Sequence, residues 1–348
     1  MVVNVPTRTC VQLLESRDVV IQFVDVGARN GVTHLPGLAS RIDAYGLEPN
    51  PEEYEKLVTG STDAARQGVI SPTYRTLQYF SHALGDAPGE QTFYHRHGAG
   101  MAGMLVLDRE RLSEIQTHAG NTRFSDRISE IDTSAFDERQ AIKVETITLD
   151  AFLEKNSISN VDYLKIDVEG FEYQVLEGAS PVLDRVGVVV VETCFVPVRV
   201  GQKLFSDVDQ LLRGSGFDLI RFEIDQEQLG YKTLKAPTHY VPPGYSDPYG
   251  QPLVSDAVYV NRSVSDPDRC LAQGAILIEK RFVDEGVHIL RHKAGVDEKT
   301  CALLADPTVY FSSGERARHR GYRMVDQLMD RVGRAKRRAF GLMGRAGR

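Results

Sequence analysis

Tryptophan is absent from this chain of 348 residues, and cysteine occurs only four times. Cys10, Cys194, Cys270 and Cys301 lie far apart and form no CxxC. That excludes a disulfide scaffold and a structural zinc site, and leaves free, mainly buried thiols. No apolar run approaches the ~18 residues of a membrane-spanning helix; the longest is Val186 to Val191. The opening stretch MVVNVPTRTC has no basic segment leading into an apolar one. No signal peptide is therefore expected, and a cytoplasmic protein is the default reading.

The composition, 42% hydrophobic and 26% charged, is that of a globular protein. The net charge of −7 is unevenly placed. From Glu315 to Arg348 there are eleven Lys/Arg against three Asp/Glu, so the rest of the chain carries −15. An acidic body with a basic tail gives the tail a job of its own.

Strand and helix alternate from about residue 19 to 262. VVIQFVDVG (19–27) and RIDAYGLEPN (41–50) each read as a buried strand stopped by an acid, with a short helix expected between them after Gly31. Pro51 opens a further helix. Residues 74–85 read as a third strand, EQTFYHR as a short one, and KVETITLDAFLEK as a strand followed by a helix with Asp150 near its cap. VDYLKIDVEG is a strand running into FEYQVLEGA, a helix with Phe171, Val175 and Leu176 on one face and Gly178 as its stop. VGVVVVET (186–193) reads as a central strand, DVDQLLRGSGF as a helix, and DLIRFEI and DAVYVNR as closing strands. The pattern predicts a doubly wound α/β sheet with ligands beyond the C-terminal ends of its strands. Residues 263–314 read as mostly helical, with 270–286 as the best segment.

DVGARNG places Asp25, Gly27, Ala28, Arg29 and Gly31 at the first strand-to-turn junction, and Glu48 follows 23 residues after Asp25. An acid at the end of the second strand accepts both hydroxyls of a ribose. A dinucleotide needs a glycine two residues after Gly27, and Arg29 stands there. Asp25 would also repel a pyrophosphate, whereas it suits the ammonium end of S-adenosylmethionine. The spacing therefore favours S-adenosylmethionine over a nicotinamide cofactor. Ala83 and Asp86, in ALGD, fall beside the adenine end, where Asp86 either accepts the adenine amino group or caps the following turn.

These segments together, FVDVGARNG, GLEPNP, ALGD, TLDAFLEK, VDYLKIDVEGFEYQVLEGA and DAVYVNR, closely resemble the FkbM-family methyltransferases over roughly residues 19–262. The resemblance implies a class I methyltransferase (Rossmann-like) fold with a mostly parallel seven-stranded sheet and helices on both faces. It implies S-adenosyl-L-methionine as cofactor, with Asp25, Gly27, Gly31 and Glu48 at cofactor-binding positions beside Pro49. It also implies O-methylation of a hydroxyl on a sugar or secondary metabolite. The division expected is a methyltransferase domain (1–262), a helical extension (263–314) and a basic amphipathic tail (315–348).

A hydroxyl acceptor has to lose its proton during attack. Asp167, at the end of LKIDVEG, is placed nearest the methyl-transfer centre, with Glu169 as a second acid near the acceptor and Lys165 pairing with one of them. The alternative is structural: Glu169 caps the next helix and Asp167 holds a loop amide. His95 and His97 in YHRHG share one side of a strand; with no third ligand no metal is expected, and His97 is either a general base or a surface residue. Glu192 faces the crevice by position, with a structural role weighed at least equally with a catalytic one. GAGMAGM (98–104) and the loop carrying Tyr240, Tyr245 and Tyr249 are either plain connecting loops, the favoured reading, or covers for the acceptor.

The tail places Met324, Val325, Leu328, Met329 and Val332 at helical spacing ahead of Arg334, Lys336, Arg337 and Arg338. Docking on the acidic body or on a second subunit is the reading favoured over contact with a membrane, and no nucleic acid is expected. A nicotinamide-dependent oxidoreductase and a non-catalytic scaffold on the cofactor fold are the rival functions.

Overall fold

The computed structural model describes residues 5–94, 102–119, 141–223, 232–234 and 251–310. His95, His97, Gly98–Met101, Tyr240, Tyr245, Tyr249 and the tail 315–348 lie outside them.

The described residues open with helix α1 (Val5–Ser16), which no expectation from the sequence covered, and enter β1 (Ile21–Val26). A connection of turns and one short 3-10 turn leads to β2 (Ile42–Leu47). The helix expected after Gly31 does not form. Pro36 and three residues with positive φ, Gly27, Gly31 and Leu35, break any helical run there. α2 (Pro51–Thr59) starts as expected at Pro51, with Asn50 Oδ1 accepting the Glu52 N–H at 3.0 Å, and ends on the left-handed Gly60.

After the single-turn α3 (Asp63–Arg66), the strand expected over 74–85 divides in two. β3 (Thr76–Phe80) pairs with β2, whereas β4 (Ala83–Leu84) leaves the main sheet. A second, three-stranded sheet then forms from β4, β5 (Gly89–Tyr94) and, beyond α4 (Arg109–Ala119), β6 (Ala141–Ile147), in the order β4-β6-β5. α5 (Leu149–Lys155) follows at once, with Thr148 at its N-cap position donating its hydroxyl to the Asp150 carboxylate and to no helix amide.

β7 (Val161–Ile166) returns to the main sheet, and α6 (Glu172–Ala179) leaves it. Gly178 does not end this helix, which continues past it into a 3-10 segment, Ser180–Arg185. Its role is close approach: a Cβ there would lie 2.0 Å from the Gly85 carbonyl oxygen. β8 (Val186–Cys194), α7 (Phe205–Gly214), β9 (Phe217–Glu223), the three-residue β10 (Lys232–Leu234) and β11 (Gln251–Asn261) complete the sheet.

The strand order is β3-β2-β1-β7-β8-β11-β9, parallel throughout except β11, which is antiparallel to both neighbours. β10 pairs with the other end of β11. This is the seven-stranded, mostly parallel sheet of a class I methyltransferase-like fold, with a small eighth strand at one edge. The last helices are α8 (Pro267–Glu279), α9 (Val283–His292) and α10 (Glu298–Ala305). The single segment read over 270–286 is broken at Arg281, whose φ is +66°.

Alternation along the strands sends side chains to two cores. Val24, Val26, Leu164, Ile166, Val189 and Val191 pack beneath α5, α6 and α7. Ile21, Phe23, Ala44, Tyr163, Val188 and Val190 face the other way, onto α1 (Cys10, Leu14) and α8–α10 (Leu271, Ile278, Leu290, Leu304). The helices beyond residue 262 thus cover the face that the missing helix after β1 leaves open. Glu279, ending α8, holds that connection directly: its carboxylate accepts from the Gly37 N–H at 2.9 Å and from the Thr7 hydroxyl at 2.8 Å. The four cysteines are free, and Cys10, Cys270 and Cys301 are buried. Among the described residues no helix is long and apolar enough to cross a membrane.

Candidate active site

A cavity of about 630 Å³ opens at the C-terminal ends of β1, β2 and β7, a size within the ~300–1,000 Å³ of small-molecule sites. Asp25, Gly27, Ala28, Arg29, Gly31, Glu48, Pro49, Ala83, Asp167 and Glu169 all line it. Asp86 does not: it is exposed on the turn after β4. The chain has crossed to the second sheet before reaching it, and His82 and Leu84 line the cavity there instead. His97 falls outside the described residues. Ala102 and Met104, from the end of GAGMAGM, do reach the cavity wall, and Gly103 backs onto the Glu169 carbonyl.

The β1 turn is fixed by backbone contacts. The N–H groups of Gly27 and Ala28 both donate to the Leu47 carbonyl at 3.0 Å, and Asp167 N–H donates to the Val26 carbonyl at 3.0 Å. Gly27, at φ +89°, sits so close to β7 that a Cβ would lie 1.9 Å from the Asp167 carbonyl oxygen. These amides are therefore already used.

Three carboxylates reach this floor in three different states. Asp25 is 2% exposed. Burial raises its pKa, and Lys165, with Nζ 3.3 Å from Oδ1, pulls it back. Burial alone would lower the Lys165 pKa; Asp25 and Asp167 more than reverse that and leave it raised. The second partner, Asp167 Oδ2, is 3.4 Å from the same Nζ, but the Asp167 side chain is 41% exposed. Lys165 thus pairs with both acids. Glu169, held at φ +59°, turns to Arg199, whose Nη2 lies 2.6 Å from Oε2. Glu169 does not cap the next helix, whose N-cap residue is Phe171; the loop-amide role weighed for Asp167 belongs to Glu172, whose buried carboxylate accepts the N–H groups of Gly170 at 2.9 Å and Val168 at 3.1 Å.

At the end of β2, Glu48 is buried and its Oε1 accepts the Asn50 N–H at 2.9 Å. Burial pushes its pKa up to about 7, which the Asn50 contact only moderates. Arg29 reaches away from the floor to Glu53 (3.5 Å) and Asp63 (3.7 Å), joining the β1 turn to α2 and α3.

Two histidines on the wall escaped the sequence reading. His82 has a buried Nδ1 without a partner among the described residues. His34 has its Nδ1 2.9 Å from the Tyr163 hydroxyl. Neither carries a local motif, although SHALG does place His82 directly before the segment singled out. Among the described residues no cluster of three or more His, Cys, Asp or Glu is placed to hold a metal.

The residues fit S-adenosylmethionine. Glu48 offers its second carboxylate oxygen for ribose hydroxyls, and the orphaned His82 Nδ1 marks an unsatisfied polar position beside Ala83 and Leu84. The sheet order and this site define an S-adenosylmethionine-dependent methyltransferase. The methyltransferase FkbM domain model matches residues 25–219, and the chain belongs to that family. The nicotinamide and scaffold readings fall with that match.

No curated protein matches the chain. Among solved structures, magnesium protoporphyrin IX methyltransferase (ChlM) from Synechocystis PCC 6803 with bound SAM is 10% identical, over 73% of this chain and 77% of that one, at a TM-score of 0.31. A TehB-like SAM-dependent methyltransferase from Corynebacterium glutamicum ATCC 13032 is 11% identical, over 73% and 88%, at 0.26. The N-terminal domain of EvdMO1, with SAH and D-fucose, is 10% identical, over 74% and 82%, at 0.28.

Proposed function

We propose that the protein is an O-methyltransferase acting on a hydroxyl of a sugar or similarly hydroxylated small metabolite, with Asp167 as the group that takes the hydroxyl proton. The observation that carries this reading is the division of labour among the acids. Asp25 is buried against Lys165 and Glu169 is engaged by Arg199, while Asp167 stands half-exposed on the cavity floor.

When bound, S-adenosylmethionine supplies a methyl group on a good leaving group, so the protein's task is alignment and proton removal. Glu48 would hold the ribose, and His82, Ala83 and Leu84 would border the adenine. Lys165 fixes one oxygen of Asp167 and leaves the other for the acceptor hydroxyl. Met104 and Phe171 contribute apolar surface to the cavity lining.

A labelled-methyl screen of glycosides and hydroxylated metabolites tests the reading. Methyl incorporation into an alkali-stable ether on a hydroxyl is the expected result. Transfer only to nitrogen or carbon acceptors would overturn it.

A further inference from the structure

Lys280 follows α8 and lies outside the matched residues 25–219, yet it reaches the active site through two other side chains. Its Nζ is 3.2 Å from the Tyr163 hydroxyl and 2.7 Å from Glu223 Oε1. The Tyr163 hydroxyl in turn lies 2.9 Å from His34 Nδ1, and His34 lines the cavity.

The direction of these bonds follows from what each group can do. A lysine ammonium has donors only, so in the first contact the Tyr163 oxygen accepts. Tyr163 is 0% exposed, and its own proton must find an acceptor or remain buried unpaired. The partner left to it among the described residues is His34 Nδ1. That nitrogen therefore accepts, and the proton of a neutral His34 ring sits on Nε2, which has no partner among the described residues. Burial, with Lys280 and Lys165 nearby, holds the His34 pKa near 3, in keeping with a neutral ring. The backbone around it is also held, since the Tyr74 hydroxyl donates to the His34 carbonyl at 2.5 Å and Glu279 anchors Gly37 in the same connection.

We propose that Lys280 is a positioning residue that acts through Tyr163 to lock His34 as an Nε2–H donor, and that this donor binds an oxygen of the ligand in the cavity. The tautomer makes His34 a hydrogen-bond donor and removes it as a general base. The oxygen belongs either to the carboxylate of the cofactor's methionine end or to the methyl acceptor. The ligand half of the proposal rests on the cavity being the methyl-transfer site; the tautomer half does not.

Long-range proton–nitrogen spectra of 15N-histidine-labelled protein, with His34 assigned through His34→Phe, read the tautomer in the ligand-free chain. Neutral His34 with a bare Nδ1 and a protonated Nε2 is expected at neutral pH. Tyr163→Phe, which keeps the ring and its packing, should release that preference, as should Lys280→Met. A wild-type ring carrying its proton on Nδ1, or the same tautomer persisting in both variants, would overturn the lock.

S-Adenosylhomocysteine and 5′-methylthioadenosine, which lacks the carboxylate, separate the two oxygen sources. A shift of the Nε2–H signal with the first compound alone assigns the carboxylate. No shift with either, together with about a tenfold loss of turnover in His34→Phe at unchanged S-adenosylhomocysteine affinity, assigns the acceptor. Unchanged affinity and unchanged turnover in His34→Phe would remove the donor from the site.

Discussion

Asp25 and Lys165 face each other in register on neighbouring parallel strands, with Nζ 3.3 Å from Oδ1. The pair ties β1 to β7 at the point where both strands open into the cavity. Lys165→Met should leave a buried carboxylate uncompensated, at a cost of about 3 kcal/mol at neutral pH. In that variant the folded-state pKa of Asp25 rises further above its unfolded value of ~3.9. The deficit should therefore be small near pH 4 and grow as pH rises. Urea unfolding of wild type and variant across that range checks the sign; a deficit independent of pH would show that Lys165 acts by packing alone.

Asp167→Asn keeps the size and hydrogen-bonding reach of the side chain but removes its basicity. Affinity for S-adenosylhomocysteine should stay within a few-fold of wild type, while turnover falls by about 10²–10⁴. Calorimetry and a single-turnover assay read the two effects separately. Retained turnover would move proton removal to another group.

Glu48 has a folded-state pKa of about 7, raised by burial. Ribose hydroxyls donate to the charged form, so binding should expel the proton. Affinity for S-adenosylhomocysteine should rise about tenfold per pH unit up to about 7 and then level off. Glu48→Gln should bind more weakly and lose that slope. Calorimetry in buffers of different ionisation enthalpy measures the released proton directly; a flat wild-type profile would contradict the assignment.

Gly27→Ala places a methyl group against the Asp167 carbonyl from a backbone at φ +89°. The strand ends must separate to admit it, with a stability loss of roughly 2–4 kcal/mol. Thermal unfolding would show it, and cofactor affinity should fall in parallel because the cavity floor moves.

Strand ends were legible because the same local device, an apolar run broken by acid and glycine, recurs at Asp25–Gly27 and Asp167–Gly170. Glu48 was legible by a variant of it, an apolar run stopped by an acid and then Pro49. What escaped depends on partners distant in sequence. The run over 74–85 contains no proline, and its first glycine is Gly85, so nothing local announces that β4 leaves for β6, some sixty residues later. Asp86 was misplaced as a consequence. α1 hides its buried stripe, Thr7, Cys10 and Leu14, behind residues not counted as apolar anchors. His34 has meaning only through Tyr163 and Lys280, which tertiary packing alone brings to it.

The helices beyond residue 262 finish one whole face of the sheet. During synthesis, every strand has therefore left the ribosome before α8 and α9 can seal Phe23, Tyr163 and Val188 from water. A growing chain spends that interval with this face covered only in part, by α1 and the connection after β1. Completion of this face thus waits for residues 267–305 to be translated, and a stall between residues 262 and 290 would leave an apolar sheet face open to chaperones and to other nascent chains.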